Sequence, residues 1–149
     1  MKTFLIPLLL LLAFAVPAFA VDTPPDFGPQ DADYDAGRKA LEAQNWKLAL
    51  DHFNRFATRE PKSADAHNML GYTYRHAGNM DLAFRHYAEA LKLDPDHRGA
   101  HEYIGEAYLQ AANLAKADEH LKTLNRLCLA TCEEYQDLKR AIDRYKAKK

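Results

Sequence analysis

The chain has 149 residues and a nearly balanced charge, with 20 Lys and Arg against 21 Asp and Glu and a formal net charge of −1. That balance argues against a nucleic-acid binder, which needs a basic stripe to neutralise phosphates, and against a polybasic lipid-binding patch. The length suits one folded domain.

Taken in chain order, residues 1–20 read as a secretory signal peptide. Lys2 supplies the positive start, Phe4 to Val16 is almost entirely apolar, and Ala18-Phe19-Ala20 is a small-x-small cleavage site. The apolar run is shorter than the roughly 20 residues of a spanning helix. No cysteine stands at the cleavage site, which argues against a bacterial lipid anchor. The expectation is cleavage after Ala20, a periplasmic or secreted product and no stable membrane anchor. Residues 21–29 form a Pro-rich leader, where Pro24, Pro25, Gly28 and Pro29 deny both helix and ladder hydrogen bonds.

From Gln30 onward a 34-residue period governs the chain. Gly37, Gly71 and Gly105 share it, as do Ala49, Ala83 and Ala117, then Asn45, Asn79 and Asn113, then Pro61 and Pro95. Such a period is the length of a helix-turn-helix unit that stacks on its neighbours. The repeats run over 30–63, 64–97 and 98–131. Glycine and alanine suit a close approach of two helices, with Phe53, Tyr74 and Tyr87 filling the seam. Asparagine suits the turn and caps the helix that follows. Trp46 opens the second helix of repeat one and is expected to pack in the core.

This set, with Leu70-Gly71, Tyr74, Ala83, Tyr87, Ala90 and Pro95 fitting best in repeat two, resembles the tetratricopeptide repeat (TPR) family. The resemblance covers Gln30 to Thr131 and implies an all-α, right-handed α-solenoid of three repeats plus a capping helix. It also implies a concave groove lined by the first helix of each repeat. In this chain the groove candidates are Tyr34, Arg38, Asn68, Tyr72, Arg75, His76, Glu102 and Glu106. The carboxylate clamp of some family members is not reproduced, because Tyr34, Met69, Gly99 and Tyr103 stand at clamp positions. The close of the chain is also similar to small exported bacterial TPR proteins that end in a cysteine pair and a Glu-Glu-Tyr helix.

Repeat three departs from the pattern at Leu124 and Leu129, beside Cys128 and Cys132, the chain's two cysteines. Helical spacing of four residues would bring their α-carbons to about 6 Å, within disulfide range. An isolated even pair in an oxidising compartment is most simply a structural disulfide. A redox-active pair and half of a metal site are the alternatives. Residues 132–149 form the capping helix, with Leu138, Ile142 and Tyr145 on one face. Thr131 and Glu134 fit a capping box at its start.

His52, His86 and His120 repeat at the same period on the second helices. Their separation of at least one helix-packing distance is too large for a shared metal. They are expected to be half-buried and packed against the next repeat. His97 and His101 could chelate only if His97 were helical. No Gly-rich phosphate loop and no Ser/His/Asp arrangement is present, so neither catalytic residues nor a cofactor is expected. The reading is a non-enzymatic adaptor or assembly factor holding a partner protein or peptide. A redox or metal-handling accessory using Cys128 and Cys132 is the alternative. Self-association through the ends of the stack is possible.

Overall fold

A computed structural model describes residues 31–148; the signal-peptide and leader expectations therefore lie outside the described residues. Among the described residues seven helices follow one another: α1 (Ala32–Glu42), α2 (Trp46–Arg59), α3 (Ala64–His76), α4 (Met80–Leu93), α5 (Arg98–Gln110), α6 (Leu114–Cys128) and α7 (Glu133–Ala147). Each packs on its successor, and α7 packs on both α5 and α6. The architecture is an all-α helical-repeat solenoid with a terminal helix.

The starts of the helices are set by local chemistry. Asn45, Asn79 and Asn113 each accept, through Oδ1, the backbone N–H three residues on, all at 3.1 Å. This satisfies one of the donors a helix start leaves open. Asp31 and Ser63 act likewise for α1 and α3. His97 does so for α5 through Nδ1, while its Nε2 sits 3.1 Å from Asp65. His97 is thus a cap and not half of a chelate.

Between the helices of each repeat the chain turns through one left-handed residue: Gln44 (φ 54), Gly78 (φ 85) and Ala112 (φ 58). The N–H of the next asparagine then donates to the carbonyl five residues back, at 2.8 Å in all three turns. This is the bond of a Schellman-type helix end.

Three apolar clusters form one continuous seam. Phe53, Phe56 and Leu70 centre the first, Tyr87 and Ile104 the second, and Leu124, Leu138 and Ile142 the third. The periodic glycines sit where an aromatic or aliphatic side chain presses on a helix backbone. A Cβ at Gly37 would stand 2.6 Å from the Phe53 ring, and one at Gly71 2.6 Å from the Tyr87 ring. At Gly105 the neighbour is Leu138 of α7, also at 2.6 Å. The terminal helix therefore occupies the place that the ring of the second helix takes in the other repeats.

Two local expectations are corrected. Trp46 is half-buried and stacks on His76 of α3, with centroids 5.2 Å apart, instead of entering the core. The capping box does not form. The Thr131 hydroxyl donates to the Cys128 carbonyl at 2.6 Å, and α7 is capped by Cys132 without a side-chain hydrogen bond. Glu134 faces Arg98 at 3.5 Å instead. The competing acceptor exists because Leu129 and Ala130 are both left-handed, curling the chain tightly between α6 and α7. Across that curl Cys128 and Cys132 are joined in a disulfide, with α-carbons 5.7 Å apart.

Candidate functional site

The first helices of repeats two and three, α3 and α5, lie side by side, and α7 closes the space beside α5. Between the three is a cavity of about 640 Å³. From α3 it takes Tyr72, Arg75 and His76; from α5, Glu102, Tyr103, Glu106, Leu109 and Gln110; from α7, Ala141, Arg144, Tyr145 and Lys148. Helical periodicity explains the first two sets, since residues three and four apart share a face.

Its aromatic wall is continuous. Trp46 stacks on His76, His76 lies 4.3 Å from Tyr72, and Tyr72 lies 4.8 Å from Tyr103. Arg75 is 6% exposed and its guanidinium stands 5.4 Å from the centre of the Tyr72 ring. It also pairs with Glu106 at 2.9 Å, across the boundary between repeats. The pair is partly desolvated, so removing either member would strand the other charge.

Glu102 is 9% exposed on the same wall. Burial, with Glu106, Glu134 and Glu133 nearby, pushes its carboxyl up to about 8, and Arg75 opposes this only in part. At neutral pH it is therefore mostly protonated. Burial likewise pushes the Tyr103 phenol up. His76 is pushed down, by burial first and then by Arg75. Among the described residues three buried polar atoms lack a hydrogen-bond partner: Asn68 Oδ1, Arg75 Nε and Tyr87 Oη.

Of the groove residues expected from sequence, Tyr72, Arg75, His76, Glu102 and Glu106 meet in this cavity. Tyr34 does not: it is 7% exposed and sits edge-on to Phe53 and Phe56 in the core. Arg38 is exposed on α1, away from the cavity lining. Asn68 is buried between α3 and α5, with Nδ2 3.2 Å from where a Gly99 Cβ would lie. Outside those eight candidates, the cavity also takes Tyr103, Leu109, Gln110 and the four α7 residues. Tyr103 adjoins Glu102 on the same helix, and the α7 set recurs at i, i+3, i+4 and i+7, which was the available signal.

The periodic histidines face inward within their own repeats rather than onto the next. His52 meets Asp33 of α1 at 2.8 Å. His86 meets His67 at 3.1 Å and His120 meets His101 at 2.8 Å, each between Nδ1 atoms. Tyr74 stacks on His86, and Tyr108 on His120. The correction has a simple cause: the second helix of a repeat is closest to the first helix of the same repeat. Burial lowers His86 and His101, and lowers His120 to about 4. Among the described residues, no group of three or more His, Cys, Asp or Glu is placed to hold a metal ion.

No curated protein matches the chain. Several solved structures share its fold. The first TPR of Spaghetti (RPAP3), bound to the HSP90 peptide SRMEEVD, aligns with a TM-score of 0.67 at 16% identity, over 77% of this chain and 90% of that one. The TPR2B domain of yeast Sti1 in its pHsp70 complex aligns with a TM-score of 0.69 at 13% identity, over 78% and 95%. The Yersinia enterocolitica type III secretion chaperone SycD, with a peptide of the translocator YopD, gives 0.65 at 19%, over 78% and 91%. The family model for the tetratricopeptide repeat matches residues 34–96. Residues 34–96 are thus a tetratricopeptide repeat segment, and the helix pairs and shared turns continue the same fold through the third repeat.

Proposed function

We propose that this chain is a non-enzymatic adaptor or assembly factor that is exported, cleaved after Ala20, and holds a segment of a partner polypeptide in the α3–α5–α7 cavity. The observation that carries the reading is the cavity's lining. Tyr72, Tyr103 and His76 form an aromatic wall with Arg75 and two carboxyls beside it. Tyrosine and arginine are enriched where protein interfaces concentrate their binding energy. A volume of about 640 Å³ suits a few side chains of an extended segment. Fold neighbours solved with HSP90 and YopD peptides add support by analogy. The Cys128–Cys132 bond supports the exported setting, since disulfides persist in oxidising compartments.

The test is crosslinking in the producing cell, followed by capture and mass spectrometry, with a Tyr72→Ala/Tyr103→Ala variant alongside. One dominant partner, lost from the variant while its circular dichroism stays native, is the expected result. An identical crosslink profile in both samples would remove the cavity from the account. Mass measurement of the protein from the periplasmic fraction tests the address; the expected N-terminus is Val21.

A further inference from the structure

Resting on the reading of the cavity as a peptide site, we infer that it selects a partner segment bearing a basic side chain, with the Glu102 carboxyl as the counter-charge. Three observations converge. Glu102 is nine-tenths buried on the cavity wall. Among the described residues it forms no hydrogen bond and no ion pair. Glu106, Glu134 and Glu133 disfavour its ionisation, and Arg75 opposes them. A buried carboxyl without a partner is costly, and a cation entering the cavity would relieve that cost.

The protein's own cations do not fill the role. Arg75 is committed to Glu106 at 2.9 Å, and Arg98 faces Glu134 at 3.5 Å. Arg144 and Lys148 stand exposed at the rim and pair with neither carboxyl. They instead disfavour a second cation next to the first, so a single basic residue flanked by apolar neighbours fits better than a basic run. The Tyr72 and Tyr103 rings give such a residue an apolar and π-rich wall for its stem and head.

The charge of the bound state follows. Glu102 is mostly protonated at pH 7, and a cation favours its ionised form, so binding releases a proton. Affinity should therefore rise with pH up to about 8 and then level off. The other ionisable groups around this site are Tyr72, Arg75 and His76 on α3, Tyr103 and Glu106 on α5, and Glu133, Glu134, Arg144, Tyr145 and Lys148 on or beside α7.

The experiment uses calorimetry on the full folded chain with four N-acetylated, C-amidated peptides. Their sequence is Gly-Leu-X-Leu-Gly, with X as lysine, arginine, norleucine or glutamate. Titrations at pH 7 in two buffers of different ionisation enthalpy count the protons released. The lysine and arginine peptides should bind roughly tenfold tighter than the norleucine peptide, about 1.4 kcal/mol, with proton release. The glutamate peptide should bind weakest.

Glu102→Gln should abolish both the preference and the proton release, so that the lysine, arginine and norleucine peptides bind alike. Glu102→Asp, which restores the charge, should recover part of the preference. Equal affinity for lysine and norleucine, an unchanged preference in Glu102→Gln, or no binding of any peptide would overturn the inference. Loss of the crosslinked partner in Tyr72→Ala/Tyr103→Ala but its retention in Glu102→Gln would sink this inference alone. Retention in both would sink the groove reading with it.

Discussion

At the scale of single residues, the turn inside each repeat shows which part of the sequence speaks for itself. Gln44, Gly78 and Ala112 occupy the same left-handed position, and only the second repeat fills it with glycine. A Cβ costs about 1–2 kcal/mol in that conformation, offset in part by glycine's extra freedom in the unfolded chain. Ala112 is exposed, so its methyl packs against little. Ala112→Gly should therefore raise stability by about 1 kcal/mol, seen as a higher urea midpoint with an unchanged slope. Gly78→Ala should lower it by a similar amount, because the space around Gly78 is open and the cost is purely backbone. The asparagine caps just after these positions were legible, since a side-chain oxygen reaching an N–H three residues on is local chemistry. The left-handed state of Gln44 and Ala112 was not, because neither residue type announces it. Thr131 misled for a related reason: its hydroxyl had a nearer acceptor in the Cys128 carbonyl, created by a curl that residue type does not reveal.

At the scale of elements, α7 carries more than its amphipathic pattern discloses. The spacing of Leu138, Ile142 and Tyr145 indicated a covering helix, and Leu138 and Ile142 are indeed fully buried. That the same helix would bring Ala141, Arg144, Tyr145 and Lys148 to the cavity depends on its crossing angle over α5, which a hydrophobic stripe does not encode. Replacing both cysteines with serine should cost about 2 kcal/mol at most, the chain-entropy value for so short a loop. Hydrogen exchange should then quicken around residues 129–133, while the amides near Ile142 stay protected by the packing. Equal deprotection along all of α7 would mean that the disulfide, not the apolar face, holds the helix. The glycines predict a graded response. In Gly71→Ala the new methyl meets the ring of the fully buried Tyr87, which cannot retreat, so about 1–3 kcal/mol should be lost. Gly105→Ala meets the methyl ends of Leu138, a more adaptable neighbour, and should cost less, with the disturbance read in α7.

At the scale of the whole molecule, the stack was legible because a period of 34 residues is a property of the chain as a whole, whereas the protonation state of its titratable groups depends on burial. Those groups set opposite limbs of a pH profile. His76, His86 and His101 are held below the ordinary value of 6.5 and His120 is held near 4, chiefly by burial. A base depressed in the folded state contributes stability above its unfolded value and loses it as pH falls toward the folded one. Stability should therefore drop from about pH 6.5 to pH 4. Glu102 acts in the other direction. Raised from 4.5 to about 8, it favours the fold fully below 4.5, and that contribution is lost as pH climbs through 8. Between 4.5 and 6.5 the two trends oppose each other, four histidines against one carboxyl. The maximum should lie near pH 6.5, with decline on both sides. Melting temperatures taken every half unit from pH 4 to 9 would draw this curve. His120→Gln should make the acid limb shallower, and Glu102→Gln should remove the decline between 6.5 and 8. If Glu102→Gln kept that decline, the carboxyl would be ionised in the fold already, and the alkaline limb would have to arise from another group.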